Sequence, residues 1–365
     1  MKKTVLLLLV LLPSVVSCDR ESDDFLWEYS GGVGGAYFLT LTPDSGFVSA
    51  GTVDGRPFLM RSDRSGGKVF TFSSEMAGSF RSVWFDTAFY LAAGETDGDL
   101  LLAMLDNQGG LLWEKRVEAE ISVSEVFLFP GETVTEFVAL CGAGPDDPAE
   151  ALSGILKVVC DTAGNTVDLL TRNESSYFRI SGAVALADGG FMLATSESSG
   201  TAKPIAAMRR VSSTLSNAGT RTELSNNPAY SAASLDICMA DAGEFLVSGR
   251  TELSSGENLF MNSFVSMVRN TSGWKKYPEN SNEGVAIYYD GNGLVYILHR
   301  NCFIVTVLSS DDGSEYSMVR TYNACDSYDT DALAEAFVIN HDGNLLLAGM
   351  KGGRYYLALK PVIEE

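Results

Sequence analysis

The feature that most constrains this chain is a four-run unit that recurs along its length. It is clearest from Trp84 to Arg116, where apolar runs at Trp84–Phe85, Phe89–Ala93, Leu100–Leu105 and Leu111–Val117 are separated by turns rich in Asp, Asn and Gly. Runs this short, joined by loops of a few residues, can pair only with their neighbours as an antiparallel meander. The residues that open the second run of each unit are Phe47, Tyr90, Val138, Phe191, Phe245, Val295 and Leu345, spaced 43 to 54 residues apart. Many follow turns such as Asp44-Ser45-Gly46, Asp188-Gly189-Gly190 and Asp342-Gly343-Asn344, whose residues suit positive φ. Four residues on, Gly51, Gly94, Gly142, Gly249 and Gly349 are expected to end the strand, with Thr195 and His299 in the fourth and sixth units.

A period near fifty with four strands per unit predicts an all-β chain folded as a seven-bladed β-propeller of four-stranded antiparallel blades. The seventh unit has only three runs before Pro361, and its missing outer strand is expected from the other end of the chain. Leu26-Trp27-Glu28-Tyr29 matches Leu112-Trp113-Glu114-Lys115, a fourth strand. Strand 25–29 is therefore predicted to complete the last blade, closing the ring and leaving no bare edge. Residues 25–360 form one domain in this reading, followed by a tail at 361–365. The repeats resemble bacterial propellers whose blades carry a D-G-G-F/Y turn followed by an apolar strand ending in glycine. That resemblance implies architecture and not activity.

The amino terminus carries an address. Lys2-Lys3 and the apolar run Val5–Val16 have the form of a secretory signal, and the run is too short to span a bilayer. It ends in Val15-Val16-Ser17-Cys18, which resembles a bacterial lipobox. The resemblance implies a signal peptide at 1–17 and Cys18 as the acylated first residue, an anchor to the outer membrane. Residues 18–24 would be a tether, and its acidic run Asp19-Arg20-Glu21-Ser22-Asp23-Asp24 resembles the surface-export signals of some gut-type Gram-negative anaerobes. Display on the cell exterior is the expectation.

Composition bears on partners. The net charge is −21, so nucleic acid is a poor partner for this chain. The only histidines, His299 and His341, are expected on opposite faces, which excludes multi-histidine metal sites and leaves no Ser-His-Asp or Cys-His pair. No cofactor is expected, with Ca²⁺ the one cation considered, because Asp326, Asp329 and Asp331 lie within six residues without EF-hand spacing.

Turns between first and second and between third and fourth strands share one face and read as short. The other connections read as long, at 143–153, 197–203, 225–232, 251–258 and 321–333, and their face is the expected binding face. The candidate binding residues there are Asp146, Asp147, Tyr230, Tyr322, Asp326, Tyr328, Asp329 and Asp331. Trp27, Trp113 and Trp274, at equivalent fourth-strand positions, are expected to pack between blades. Among the cysteines, Cys141 and Cys160 fall at opposite ends of paired strands and cannot bridge, and Cys238 reads as a buried thiol. Cys302 and Cys325 are expected to form a disulfide on the long-loop face.

The function these features support is non-enzymatic: an envelope lipoprotein that binds a glycan, a peptide or a partner protein, with a role as an accessory subunit of an outer-membrane complex among the expectations. Two alternatives stay open, a propeller glycan hydrolase or lyase working through carboxylates and tyrosines, and a structural scaffold.

Overall fold

The structure, a computed structural model, describes residues 27–133, 135–143, 153–174, 177–198, 203–215, 218–225, 231–241, 243–255, 258–269, 273–277, 283–300, 304–320 and 332–360. The described residues form strands and turns, and among them no helix is long and apolar enough to cross a membrane.

Among the described residues, five four-stranded antiparallel sheets and one seven-stranded sheet account for all the strands. The seven-stranded sheet begins with β1 (Trp27–Leu41), β2 (Phe47–Val53), β3 (Arg56–Ser62) and β4 (Lys68–Ser73). The next two sheets hold β5 (Ser79–Phe85), β6 (Phe89–Thr96), β7 (Asp99–Asp106) and β8 (Leu111–Val117), then β9 (Val123–Pro130), β10 (Glu136–Ala143), β11 (Ser153–Asp161) and β12 (Thr166–Glu174). The fourth holds β13 (Phe178–Ala185), β14 (Phe191–Glu197), β15 (Ile205–Val211) and β16 (Ala218–Glu223). The fifth holds β17 (Ser231–Asp241), β18 (Glu244–Ser255), β19 (Asn258–Val268) and β20 (Trp274–Lys276). The sixth holds β21 (Gly284–Tyr289), β22 (Leu294–His299), β23 (Ile304–Ser309) and β24 (Glu315–Arg320). Finally β25 (Ala332–Ile339), β26 (Leu345–Lys351) and β27 (Arg354–Lys360) return to the first sheet, whose order is β25-β26-β27-β1-β2-β3-β4.

The amino-terminal strand differs from the expectation of a separate segment at 25–29. It is the first part of one 15-residue strand, β1. Trp27–Val33 pairs with β27, and Gly34–Leu41 pairs with β2. Gly31, Gly32, Gly34 and Gly35 sit at the handover. A Cβ at Gly34, whose φ is +152°, would lie 1.9 Å from the Thr52 carbonyl oxygen. Only glycine lets the strand pass that close while changing partners.

The glycines expected to end the second strands lie inside them. Gly51, Gly94 and Gly349 are followed by further paired residues. Each faces a β-bulge on the first strand, where the register slips at Tyr37, Arg81 and Glu335. A Cβ on Gly94 would stand 1.8 Å from the Ser79 carbonyl oxygen, and one on Gly51 would stand 1.9 Å from that of Gly35. The glycine therefore makes room for a bulge that aims one extra residue away from the sheet. All seven first strands slip register at this level.

Connections between second and third strands are less uniformly long than expected. Two residues separate β2 from β3, β6 from β7 and β26 from β27, and positive φ at Asp54-Gly55, Asp97-Gly98 and Gly352-Gly353 makes tight hairpins there. The segment expected as a loop at 251–258 is likewise mostly strand, since β18 and β19 pair as far as Ser255 opposite Asn258. Its alternating residues extend the ladder beyond Gly249, where the strand had been expected to stop.

The third-to-fourth turns share one device. Asp63, Asp106 and Asp161 each use Oδ1 to accept from the backbone N–H groups two and four residues on, at 2.8–3.0 Å. The glycine of the turn then seats an aromatic ring from the preceding blade. Trp113 lies against Gly164 and donates Nε1–H to the Thr162 carbonyl at 3.0 Å. Trp274 lies against Gly313 and donates to the Ser310 carbonyl at 2.8 Å, as predicted for rings packing between blades. Phe70 occupies the same seat on Gly109. The side chain of Trp27 lies outside the described residues.

Candidate functional site

The first strands of the sheets line a cavity of about 360 Å³. Its walls come from β1, β5, β9, β13, β17, β21 and β25, together with Arg300 just beyond β22. Charged residues lie near the starts of the first strands, at the end fed by the fourth-to-first and second-to-third connections. These are Arg81, Glu125, Arg179 and Glu335, with Arg300 beside them. Farther along the same strands the wall is mostly apolar, with Phe38, Phe127, Tyr288 and Phe337, though Asp236 lies there too, while Leu235 sits at the bulge level with Arg81 and Glu335. The cavity is thus charged toward the long-loop face and apolar toward the short-turn face.

Two of its three arginines have carboxylate partners. Arg179 Nη2 stands 3.4 Å from Glu125 Oε1, and Arg300 Nη2 stands 3.4 Å from Glu335 Oε2. Arg300 Nε also lies 3.1 Å from Glu283 Oε2, and Glu283 pairs in turn with Arg250. Arg81 differs. Its guanidinium carbon lies 4.2 Å from the centroid of the Tyr37 ring, a cation–π contact. Its Nε is buried, and among the described residues nothing accepts a hydrogen bond from it. A buried donor without an acceptor is costly and calls for an explanation.

The acids respond to this enclosure. Burial raises the Glu335 carboxyl above its usual range, against the attraction of Arg300 and Arg81. Burial pushes Asp236 up to about 7, against its hydrogen bonds from the backbone N–H groups of Ile237 and Ile287 at 2.8 and 2.9 Å. Tyr37 is raised as well, first by burial, with Arg81 opposing. His299, buried against Thr306 with Nε2 and Oγ1 2.9 Å apart, is driven down to about 4 by burial. It is a neutral core histidine, whereas His341 lies in the β25–β26 turn.

The site residues singled out from the sequence are not among those described. Cys18, Asp146, Asp147, Tyr230, Cys302, Tyr322, Cys325, Asp326, Tyr328, Asp329 and Asp331 all lie outside the described residues. Among the described residues, no group of three or more His, Cys, Asp or Glu is arranged to hold a metal ion. Cys141 and Cys160 are buried free thiols, opposite Leu156 and Phe137 in the β10–β11 ladder. Cys238 is free too, half-buried against the cluster that holds Leu246, Val265 and Ile287, where full burial was expected. Sequence reasoning missed the charged belt. Its signal was a charged residue breaking a first strand at the bulge, as in Phe80-Arg81-Ser82 and Ala334-Glu335-Ala336.

No protein-family model matches the chain, and no curated protein matches it. Solved structures do. The Neurospora crassa Pan2 WD40 domain is similar with a TM-score of 0.56 at 12% identity, over 91% of each chain. The Myceliophteria thermophila Cps50 (Swd1) β-propeller domain gives 0.56 at 11% identity, over 92% of this chain and 99% of that one. The structure titled YCF48 bound to D1 peptide gives 0.51 at 11% identity, over 92% and 95%. At such identities the likeness concerns the fold alone, and with the blade-like sheets above it makes this chain a β-propeller.

Proposed function

We propose that this protein is a lipid-anchored envelope protein whose seven-bladed, closed propeller binds a partner protein or peptide at its long-loop face, without catalysing a reaction. The observation that carries the reading is the charged cavity, which is lined by Arg81, Arg179 and Arg300 in a chain of net charge −21, near the strand ends from which that face's connections run. A peptide-bound propeller, YCF48 with the D1 peptide, is among the structures similar in fold. Anchoring through Cys18 and display outside the outer membrane rest on the lipobox-like Val15-Val16-Ser17-Cys18 and the acidic tether.

Closure of the ring is supported by contacts between the chain ends. Tyr355 of β27 donates its hydroxyl to Ser49 of β2 at 2.6 Å, and Tyr356 donates to Glu28 of β1 at 2.5 Å. The first strands neighbour one another in chain order, and β25 neighbours both β21 and β1. In this reading β1 serves as the outer strand of the seventh blade and the inner strand of the first.

The test is capture from the native membrane. A carboxy-terminally tagged full-length protein, solubilised in mild detergent, should retain a defined partner after washing, and a fatty-acid analogue fed to the cells should label Cys18. An unlabelled protein would remove the anchor. Recovery of the protein alone from its native membrane would remove the partner.

A further inference from the structure

The unpartnered guanidinium of Arg81 sets the cavity apart from a water-filled hole. Each carboxylate of the belt already has an arginine: Glu125 has Arg179, and Glu335 has Arg300. Arg81 is left with the face of Tyr37, and its buried Nε donates to nothing among the described residues. The remaining acid of the wall, Asp236, uses its oxygens on the Ile237 and Ile287 backbone and lies farther down the channel. Among the lining arginines, Arg81 is the one with no carboxylate within ion-pairing distance among the described residues, although Glu335 attracts it through space. Below it the wall is mostly apolar, with Phe38, Phe127, Tyr288 and Phe337 beside Asp236. The volume, about 360 Å³, falls at the small end of the range of small-molecule sites.

We propose that this cavity is a carboxylate-binding site, in which Arg81 receives the carboxylate and the apolar half of the channel takes the stem that carries it. The planar fork of a guanidinium matches a carboxylate in two parallel hydrogen bonds, which supply both affinity and orientation. Tyr37 braces the cation from one side, and because Nε is buried the ligand would meet the two terminal Nη groups. A neutral isostere of the ligand would leave Arg81 buried and unpaired, so the site discriminates by charge. The carboxylate could belong to a free amphipathic acid or to the carboxyl end of a peptide, since both offer the same group on an apolar stem. This proposal deepens the partner-binding reading and rests on the same long-loop face.

The experiment is calorimetric titration of the full-length protein in detergent with 3-phenylpropionate, with 3-phenylpropionamide, and with a hexapeptide ending in Phe as the free acid or the amide. At least one acid should bind, and its amide should bind roughly ten-fold more weakly or worse, the loss expected for one charge-assisted contact. Binding by the peptide acid alone assigns the site to peptide ends; binding by phenylpropionate alone assigns it to free acids. Arg81→Gln should weaken the acid by a similar factor without lowering the melting temperature. No binding by either acid, equal binding of acid and amide, or unaltered binding to Arg81→Gln would each overturn the proposal. If the Arg81→Gln protein still captures its membrane partner and no acid binds, the partner-binding reading stands and the cavity site falls. The acid–amide comparison uses unsubstituted protein, so it decides the question even if the variant folds poorly.

Discussion

At the scale of single residues, the most constrained positions are those where one backbone runs against another. Gly94 has no room for a Cβ beside the Ser79 carbonyl. Gly94→Ala should therefore cost about 2 kcal/mol, within the range for overpacking, read as a lowered denaturant midpoint with unchanged slope. A variant as stable as the parent would remove the account of the bulge. Truncating the seated ring in Trp113→Ala removes a half-buried side chain and its hydrogen bond to Thr162, and should cost roughly 2–3 kcal/mol.

Two buried titrating groups set opposing pH responses. Asp236 keeps its proton to about pH 7 in the fold, while an unfolded Asp loses it near 3.8, so its contribution to stability falls as pH rises between those values. His299 stays neutral down to about pH 4 while an unfolded His protonates near 6.5, so its contribution rises with pH across that interval. Between about pH 4 and 6.5 the two slopes oppose. Thermal unfolding over that range should fall more steeply with pH in His299→Gln than in the parent and rise relative to the parent in Asp236→Asn. Variants whose profiles parallel the parent would show that neither group titrates as the structure implies.

At the scale of elements, the meander was legible because period-two runs and Asx-type turns are local signals. Asp106 and Asp161 announce their turns in the sequence and close them with their own carboxylates. Strand lengths were less legible. A glycine such as Gly249 reads as a stop, but here it marks a bulge inside a strand that continues to Ser255. The channel residues were hidden by the same feature. A bulge adds one residue to the pleat, so Arg81 and Glu335 break the alternation and read as solvent-facing. The candidate residues of the long connections, such as Asp326 and Tyr328, rested on loop length alone, and they lie outside the described residues. The shared strand β1 gives this scale its own prediction. Removing residues through Ser30 leaves β27 without its outer neighbour and Tyr356 without Glu28, and should lower the melting temperature of the whole domain in one transition. A protein that melts as before would show that Trp27–Ser30 is dispensable to the ring.

At the scale of the whole molecule, the propeller gives two faces of different character. One carries tight turns pinned by Asp side chains and by the Arg64–Asp342 ion pair. The other carries the longer connections and the charged mouth of the cavity. Binding at that mouth is the central claim, and site-specific photocrosslinking tests it most directly. A photoreactive residue is placed either at Lys203, in the β14–β15 connection of this face, or at Gln108, in the β7–β8 turn of the opposite face. After irradiation of intact membranes, the account predicts a crosslinked partner from position 203 and none from position 108. A product from position 108 alone, or from neither position, would contradict it.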